Sequence, residues 1–240
     1  MKAALAEFLG TFTLVFIGAG AGALASPSGT GVVGVALAHG LALIVIIYTW
    51  GSISGAHFNP AVTLGVALTG RMTSLTVVVY WICQFLGGVA AACLLYYLIG
   101  ATGGLGETIG SLTPNVATPG PNASAMKTIV VEAVLTFFLM TSVFASGVLN
   151  KNGNLAGVAI GLVLTMDILM GATLTGASMN PARSFGPALV MFLRQQQEMG
   201  YFWMYLVGPF LGATVGALLY ASMGNTIVEA IPGTRSVSTK

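Results

Sequence analysis

Two short stretches of this chain combine residue types that could do chemistry in a greasy setting: SGAHFNPAVT at 54–63 and TGASMNPARS at 175–184. Each contains an Asn-Pro-Ala triplet, Asn59-Pro60-Ala61 and Asn180-Pro181-Ala182, with a Gly four residues before the Asn. The two Asn lie 121 residues apart, and only the second triplet is followed by an arginine, Arg183. Asn suits a helix N-cap and Pro suits the first helical turn, so each triplet is expected to start a helix. A helix N-terminus carries roughly half a positive charge. Two such ends brought to one point would repel cations, and an Asn amide at each would donate a hydrogen bond to a passing acceptor. A water oxygen held by two donors turns its hydrogens away from both, which breaks a proton wire through that point.

The elements that must position these phrases are membrane helices. The 240-residue chain is 56% hydrophobic and 6% charged, against roughly 25% charged in soluble domains. That balance excludes nucleic-acid binding, which needs clustered Lys and Arg. Two cysteines within one apolar run exclude a disulfide scaffold, and two histidines without clustered ligands leave no basis for a zinc site. No cofactor is expected. No nucleophile–base set is visible either, so an enzyme is not expected. A spanning helix needs about 20 apolar residues. Six stretches qualify: about Ala4–Leu24, Val32–Trp50, Thr76–Ile99, Thr128–Leu149, Ala156–Ala172 and Tyr201–Ser222. The residues after each triplet are apolar but too short to cross, which fits re-entrant half-helices. The polar residues before each triplet would be non-helical backbone, tolerated at membrane depth only inside protein or beside water. Abundant glycine, 33 residues, suits close helix packing in lipid.

The phrases belong to a longer repeat. Glu7 opens an apolar Thr/Phe run in the first span and Glu132 a similar one in the fourth, an offset of 125 residues. The chain reads as one membrane channel domain, 1–240, with repeats at about 1–100 and 126–225 joined by an outer loop at 101–125. An odd number of spans per repeat turns the second half upside down, an inverted repeat of the kind that places a site at the midplane. Lys2, Arg71, Lys151, Arg235 and Lys240 outnumber Lys127 and Arg194 on opposite sides, so both termini are expected in the cytoplasm. The outer loop ends near a sequon, Asn122-Ala123-Ser124. Cys83 and Cys93 read as inert span residues, and Trp50, Tyr201 and Trp203 as interface anchors. Glu7 and Glu132 are membrane-embedded carboxylates, open to two readings: a proton relay, or acceptors for loop amides that otherwise lack partners. Asp167 lies about 100° around its helix from Ile168.

These features together resemble the major intrinsic proteins, the aquaporins and aquaglyceroporins, over essentially the whole chain. The resemblance implies an all-α integral membrane protein of six transmembrane helices plus two re-entrant half-helices. It also implies one pore per subunit, a homotetramer, and passive conduction of water and small neutral solutes across the bilayer with exclusion of protons and ions. It assigns an outer selectivity filter to His39, Ile168, Ala177 and Arg183, pore carbonyls to Gly55, Ala56, His57, Gly176, Ala177 and Ser178, and loop support to Glu7 and Glu132. The strict water channels usually place an aromatic on span two and His on span five; here His39 and Ile168 stand there, similar to plant vacuolar intrinsic proteins. Ammonia, hydrogen peroxide or glycerol thereby become alternative cargo. Ser184, where glycerol channels carry Asp, and Ala188 resemble the water-channel type. A structural membrane protein without transport and a proton-coupled transporter are the remaining readings. Short termini resemble a cell-membrane protein more than a vacuolar one.

Overall fold

The computed structural model describes residues 1–108, 122–149 and 151–223. Among them are eight α-helices: α1 (Lys2–Ser28), α2 (Gly31–Ser54), α3 (Pro60–Leu68), α4 (Ser74–Ile99), α5 (Asn122–Ser142), α6 (Ala156–Thr175), α7 (Pro181–Gln195) and α8 (Met204–Met223). Six segments are long and apolar enough to cross a membrane: α1, α2, α4, Ala125–Val148, Gly153–Thr175 and α8. The fourth is α5 carried on by one π-helical stretch, Val143–Val148. The spans carry apolar residues around their whole circumference because lipid, not water, is the outer solvent. Leu37, Leu41 and Val45 of α2 and Val130, Val134 and Phe138 of α5 are accordingly exposed on the outside of the bundle.

α3 and α7 are the two helices too short to span, nine and fifteen residues. The packing of the halves corresponds: α1 lies on α2 and α4, and α5 lies on α6 and α8. The halves then interlock. α2 packs on α6, α3 packs on α8, and α7 packs on α4, so each short helix is held by a long helix of the other half. The core follows from this exchange, with Leu43, Ile46, Phe58, Val62, Met140 and Met179 among its buried members.

The α2–α6 contact is close. Gly40 and Gly161 face one another there: a Cβ on Gly40 would come 2.7 Å from the Gly161 carbonyl, and one on Gly161 would come 2.6 Å from the Gly40 carbonyl. Small residues let the backbones approach, as membrane helix packing requires.

One expectation changes and one gains detail. The described start of the 101–125 loop packs into the protein. After α4 a tight turn at Thr102–Gly106 folds back against α1, α4 and α7, and Leu105, Gly106 and Thr108 are buried. We call residues 102–108 the strap. Tyr201 is not an interface anchor, because it is buried and hydrogen-bonded inside the protein; Trp203 is exposed. Cys83 and Cys93 are free thiols. The sequon falls where side chains lie outside the described residues, as do Arg235 and Lys240.

Gly161→Leu should force α2 from α6 and destabilise the fold by about 1–3 kcal/mol. Thermal unfolding in detergent should show a lowered midpoint, whereas Gly200→Leu, at a position with nothing within 4 Å of an added Cβ, should leave it unchanged.

Candidate functional site

The two Asn-Pro-Ala phrases meet. Asn59 and Asn180 both have extended backbone and cap α3 and α7. The Asn59 side-chain oxygen accepts from Ala61 N at 2.8 Å, and that of Asn180 accepts from Ala182 N at 3.0 Å and Arg183 N at 3.3 Å. Their amide nitrogens then cross between the halves: Asn59 Nδ2 donates to the Met179 carbonyl at 2.8 Å, and Asn180 Nδ2 donates to the Phe58 carbonyl at 2.9 Å. The expectation of two wholly free amides is thereby refined. One hydrogen of each amide is committed to the partner phrase, and one remains.

The backbone leading into each cap is unusual and matched. Gly55 and Gly176 end α2 and α6 in the left-handed conformation, φ 86° and 85°. Ala56, Phe58, Ala177 and Met179 also have positive φ although each carries a Cβ. Such residues cost of order 1–3 kcal/mol each and persist only when their surroundings over-determine them. The carboxylates do that. Glu7 Oε1 accepts from His57 N at 3.0 Å and Ser54 Oγ at 2.6 Å; Oε2 accepts from Phe58 N at 2.6 Å and Gln84 Nε2 at 2.7 Å. Glu132 Oε1 accepts from Ser178 N at 3.0 Å and Thr175 Oγ1 at 2.7 Å, and Oε2 from Met179 N at 2.8 Å. Four donors occupy the four lone-pair sites of Glu7, so a proton there would displace one of them.

A cavity of about 350 Å³ runs past the capped ends. Its polar lining includes His39, Arg183, Asn59, Asn180, His57 and Ser178, with Gly51, Gly55, Ala56, Val148 and Ala156 beside them. Apolar side chains wall the remainder: Leu14, Leu43, Val62, Val66, Leu139 and Ile160. Gly176, Ala177 and Ile168 are not among the lining residues, although Ala177 and Ile168 are buried in the surrounding core. His57 turns its ring to Thr63 Oγ1 at 3.0 Å and edge-on to Tyr80, not to neighbouring backbone. Asp167 is buried, does not line the cavity, and its Oδ2 has no hydrogen-bond partner among the described residues.

Arg183 is buried at 4% exposure. Its Nη1 donates to the Gly106 carbonyl of the strap at 2.7 Å. Its Nε and Nη2 each lie 3.4 Å from His39 Nε2. His39 Nδ1 sits 2.9 Å from the Val35 carbonyl. A carbonyl only accepts, so the ring proton is on Nδ1, and Nε2 offers its lone pair to the guanidinium. His39 is therefore neutral, and Arg183 is the single cation among the described residues that line the cavity. Gly18 of α1 gives the imidazole its room: a Cβ there would lie 2.3 Å from His39 Cδ2. Ser184 Oγ shares hydrogen bonds with Thr108 Oγ1 and Ser178 Oγ, linking strap, phrase and α7.

Residues 1–220 match the family described as Major intrinsic protein. The chain belongs to that family. Among its relatives, "Aquaporin TIP1-2" of Musa acuminata is 41% identical over 244 residues, 97% of this chain and 91% of that protein. "Aquaporin TIP2-1" of Arabidopsis thaliana is 37% identical over 242 residues, again 97% of this chain and 91% of that protein. Among solved structures, the aquaglyceroporin from Plasmodium falciparum superposes with a TM-score of 0.74 at 23% identity, over 91% of this chain and 94% of that one. At that identity the likeness speaks for the fold alone.

The strap, Gln84 and the Ser184 hydroxyl were not singled out as site residues from sequence. Gly106 contributes only a carbonyl, and a carbonyl has no residue-type signature. Gln84 could have been suspected as a polar residue in an apolar span.

Glu132→Gln keeps the shape but sets amide hydrogens against a loop N–H, leaving a buried donor unsatisfied at about 1–3 kcal/mol. The thermal midpoint in detergent should fall by several degrees, with Glu7→Gln behaving alike. A proton relay would instead leave the midpoint in place and remove a pH-driven flux.

Proposed function

We propose that this member of the family is a passive water channel that excludes protons and ions, with small neutral solutes as additional cargo. The observation that carries this reading is the crossed pair of Asn59 and Asn180 amides on one continuous cavity. It fixes two helix N-termini at one point, each with partial positive charge and each with an amide hydrogen to spare. A cation meets both ends there. A water oxygen accepts from the Asn donors and turns its hydrogens along the apolar wall, so no proton chain continues.

In this reading Asn59, Pro60 and Ala61 with Asn180, Pro181 and Ala182 form the central constriction, and Glu7 and Glu132 hold its loops. The carbonyls of Gly55, Ala56 and His57, then Gly176, Ala177 and Ser178, offer acceptors along the path. His39, Ile168, Ala177 and Arg183 form the outer filter. The matched packing of α1–α4 and α5–α8 supports a single domain of inverted repeats, about 1–100 and 126–225. The apolar outer surface is then shared between lipid and the neighbouring subunits of a homotetramer. Both termini are assigned to the cytoplasm on the distribution of Lys and Arg. The relatives named above are TIP proteins, the tonoplast type, which favours an internal, vacuole-like membrane over the cell membrane expected from the sequence.

The second reading, an ammonia or small-solute facilitator, is favoured by one observation. With His39 neutral, Arg183 is the single cation lining the cavity, and Ile168, buried behind that lining, adds no polar group to it. Ammonia donates to the same acceptors as water and is no larger.

Purified protein in liposomes, followed by stopped-flow light scattering against empty liposomes, should show fast shrinkage with a low activation energy. A parallel ammonium gradient with internal pH recorded should show ammonia entry above control. His39→Phe combined with Ile168→His should abolish the ammonia entry and keep the water flux. Proteoliposomes no faster than empty ones in both assays would refute the channel reading.

A further inference from the structure

The strap ends on a carboxyl group for which the channel mechanism above has no use. Glu107 directly follows Gly106, the residue whose carbonyl holds Arg183 Nη1. Its Oε2 accepts from Gln197 Nε2 at 2.8 Å and Tyr201 Oη at 3.2 Å, both in the segment between α7 and α8. Its Oε1 is buried without a partner among the described residues. Glu107 therefore ties the arginine-holding strap to the outer segment through one oxygen and leaves the other without a donor.

Glu107 adds to other ties on the strap: Leu105 is fully buried and Arg183 holds the Gly106 carbonyl. The turn of the strap has positive φ at Gly103, Gly104, Leu105 and Gly106. A Cβ on Gly106 would lie 2.0 Å from the Ala19 carbonyl, so it is pressed against α1 without room to adjust. Thr108 Oγ1 bonds Ser184 Oγ at 2.7 Å on the far side of Glu107.

We propose that Glu107 is a positioning residue for the filter, a titratable clamp through which the pH at the outer face sets how firmly the Gly106 carbonyl fixes Arg183. The inference rests on the channel reading above. Neutral, the acid keeps its half-buried site at little cost. Ionised, it leaves a charged oxygen without a donor, and water outside is the better place for it. The strap then lifts, Gly106 leaves the guanidinium, and Arg183 loses the contact that fixes it at the constriction.

The charges around the clamp are few. α7 contributes Arg183, whose positive charge favours ionisation. The outer segment contributes Tyr201, with Glu198 exposed to solvent beyond it. α4 presents Tyr96, itself covered by Arg194 at 5.7 Å. The outer half of α1 carries no charge, and neither does any residue from 108 to 126. Burial outweighs the Tyr201, Arg183 and Gln197 contributions and pushes the Glu107 carboxyl up from 4.5 to about 7. The docked strap thus holds its proton over a range where a lifted strap has lost it. Docking is firmest at acid pH, weakens as pH rises from about 4.5, and reaches its floor above about 7.

The test compares glycerol with water permeability in proteoliposomes at outer pH of about 5 and about 8.5. Wild type should show a glycerol-to-water ratio on the order of threefold higher at the alkaline pH. Glu107→Gln cannot ionise and should keep the low ratio throughout. Tyr201→Phe removes a donor to the carboxylate, so the midpoint of the wild-type curve should move to higher pH; this variant also serves if the glutamine variant fails to fold. Water flux is the internal control: its absence in wild type would refute the channel reading itself. Water flux with a pH-independent ratio, or with Glu107→Gln following the wild-type curve, would overturn the clamp alone.

Discussion

Everything in this fold depends on one constraint: backbone that leaves a helix at membrane depth finds no water to satisfy it. Two segments of this chain do leave a helix there, at 55–58 and 176–179. Both are also held in conformations that side chains disfavour, with positive φ at Ala56, Phe58, Ala177 and Met179. Buried carboxylates resolve both problems together. Glu7 and Glu132 each accept two successive backbone N–H groups from one segment. Because the N–H groups point to the carboxylate on one side, the carbonyls of the same segments are turned elsewhere. Phe58 and Met179 give theirs to the Asn of the opposite half. The loops are thus fixed by charge-assisted hydrogen bonds, and the loops in turn aim the helix ends. A glutamate in an apolar span, costly in isolation, is what allows a polar path beside it.

The crossed amides have a second consequence. An Asn cap with a freely rotating amide would present its donor in several directions. Here the side-chain oxygen is committed to its own helix and one amide hydrogen to the opposite half, so the last hydrogen has a single direction. Preorganised donors of this kind act without reorganisation at each passage. The surrounding wall of Leu14, Leu43, Val62, Leu139 and Ile160 offers no competing acceptor. Polar contacts are few and fixed, which suits passage better than tight binding.

How much of this was written in the sequence varied by residue type. The spans, the two short helices and the capping role of Asn59 and Asn180 were legible, because apolar length and Asn-Pro have local physical meanings. Span ends moved outward by a few residues: α1 reaches Ser28 and α2 reaches Ser54, since a helix continues past the apolar core until a left-handed residue stops it. Glu7 and Glu132 were legible as a pair but left with two roles, because their backbone donors lie 46 to 51 positions along the chain. The strap was illegible. Gly103–Gly106 reads as a flexible outer loop, and only the Arg183 guanidinium, some 77 positions away, gives its carbonyl a purpose. Tyr201 was misread for the same reason: an aromatic at a span end is usually an anchor, and its partner Glu107 lies 94 positions back.

The repeat is therefore matched at the centre and unmatched at the ends. At the centre, symmetry follows from function: two N-termini must meet, so each half supplies the same Gly, Asn, Pro and Glu. At the end that holds Arg183 a single buried cation needs one acceptor set, and the described residues supply one. His39 supplies a lone pair because the Val35 carbonyl takes its proton, and Gly106 supplies a carbonyl because a strap long enough to reach inward follows α4. In the first phrase the place after the triplet is Val62, an apolar wall residue. The first half has no counterpart of the strap carbonyl on Arg183 among the described residues, and Val62 joins Leu139, Val143 and Ile160 in the apolar lining of the cavity. The phrase is written twice because the helix ends are paired, and the arginine once because its ligands are not.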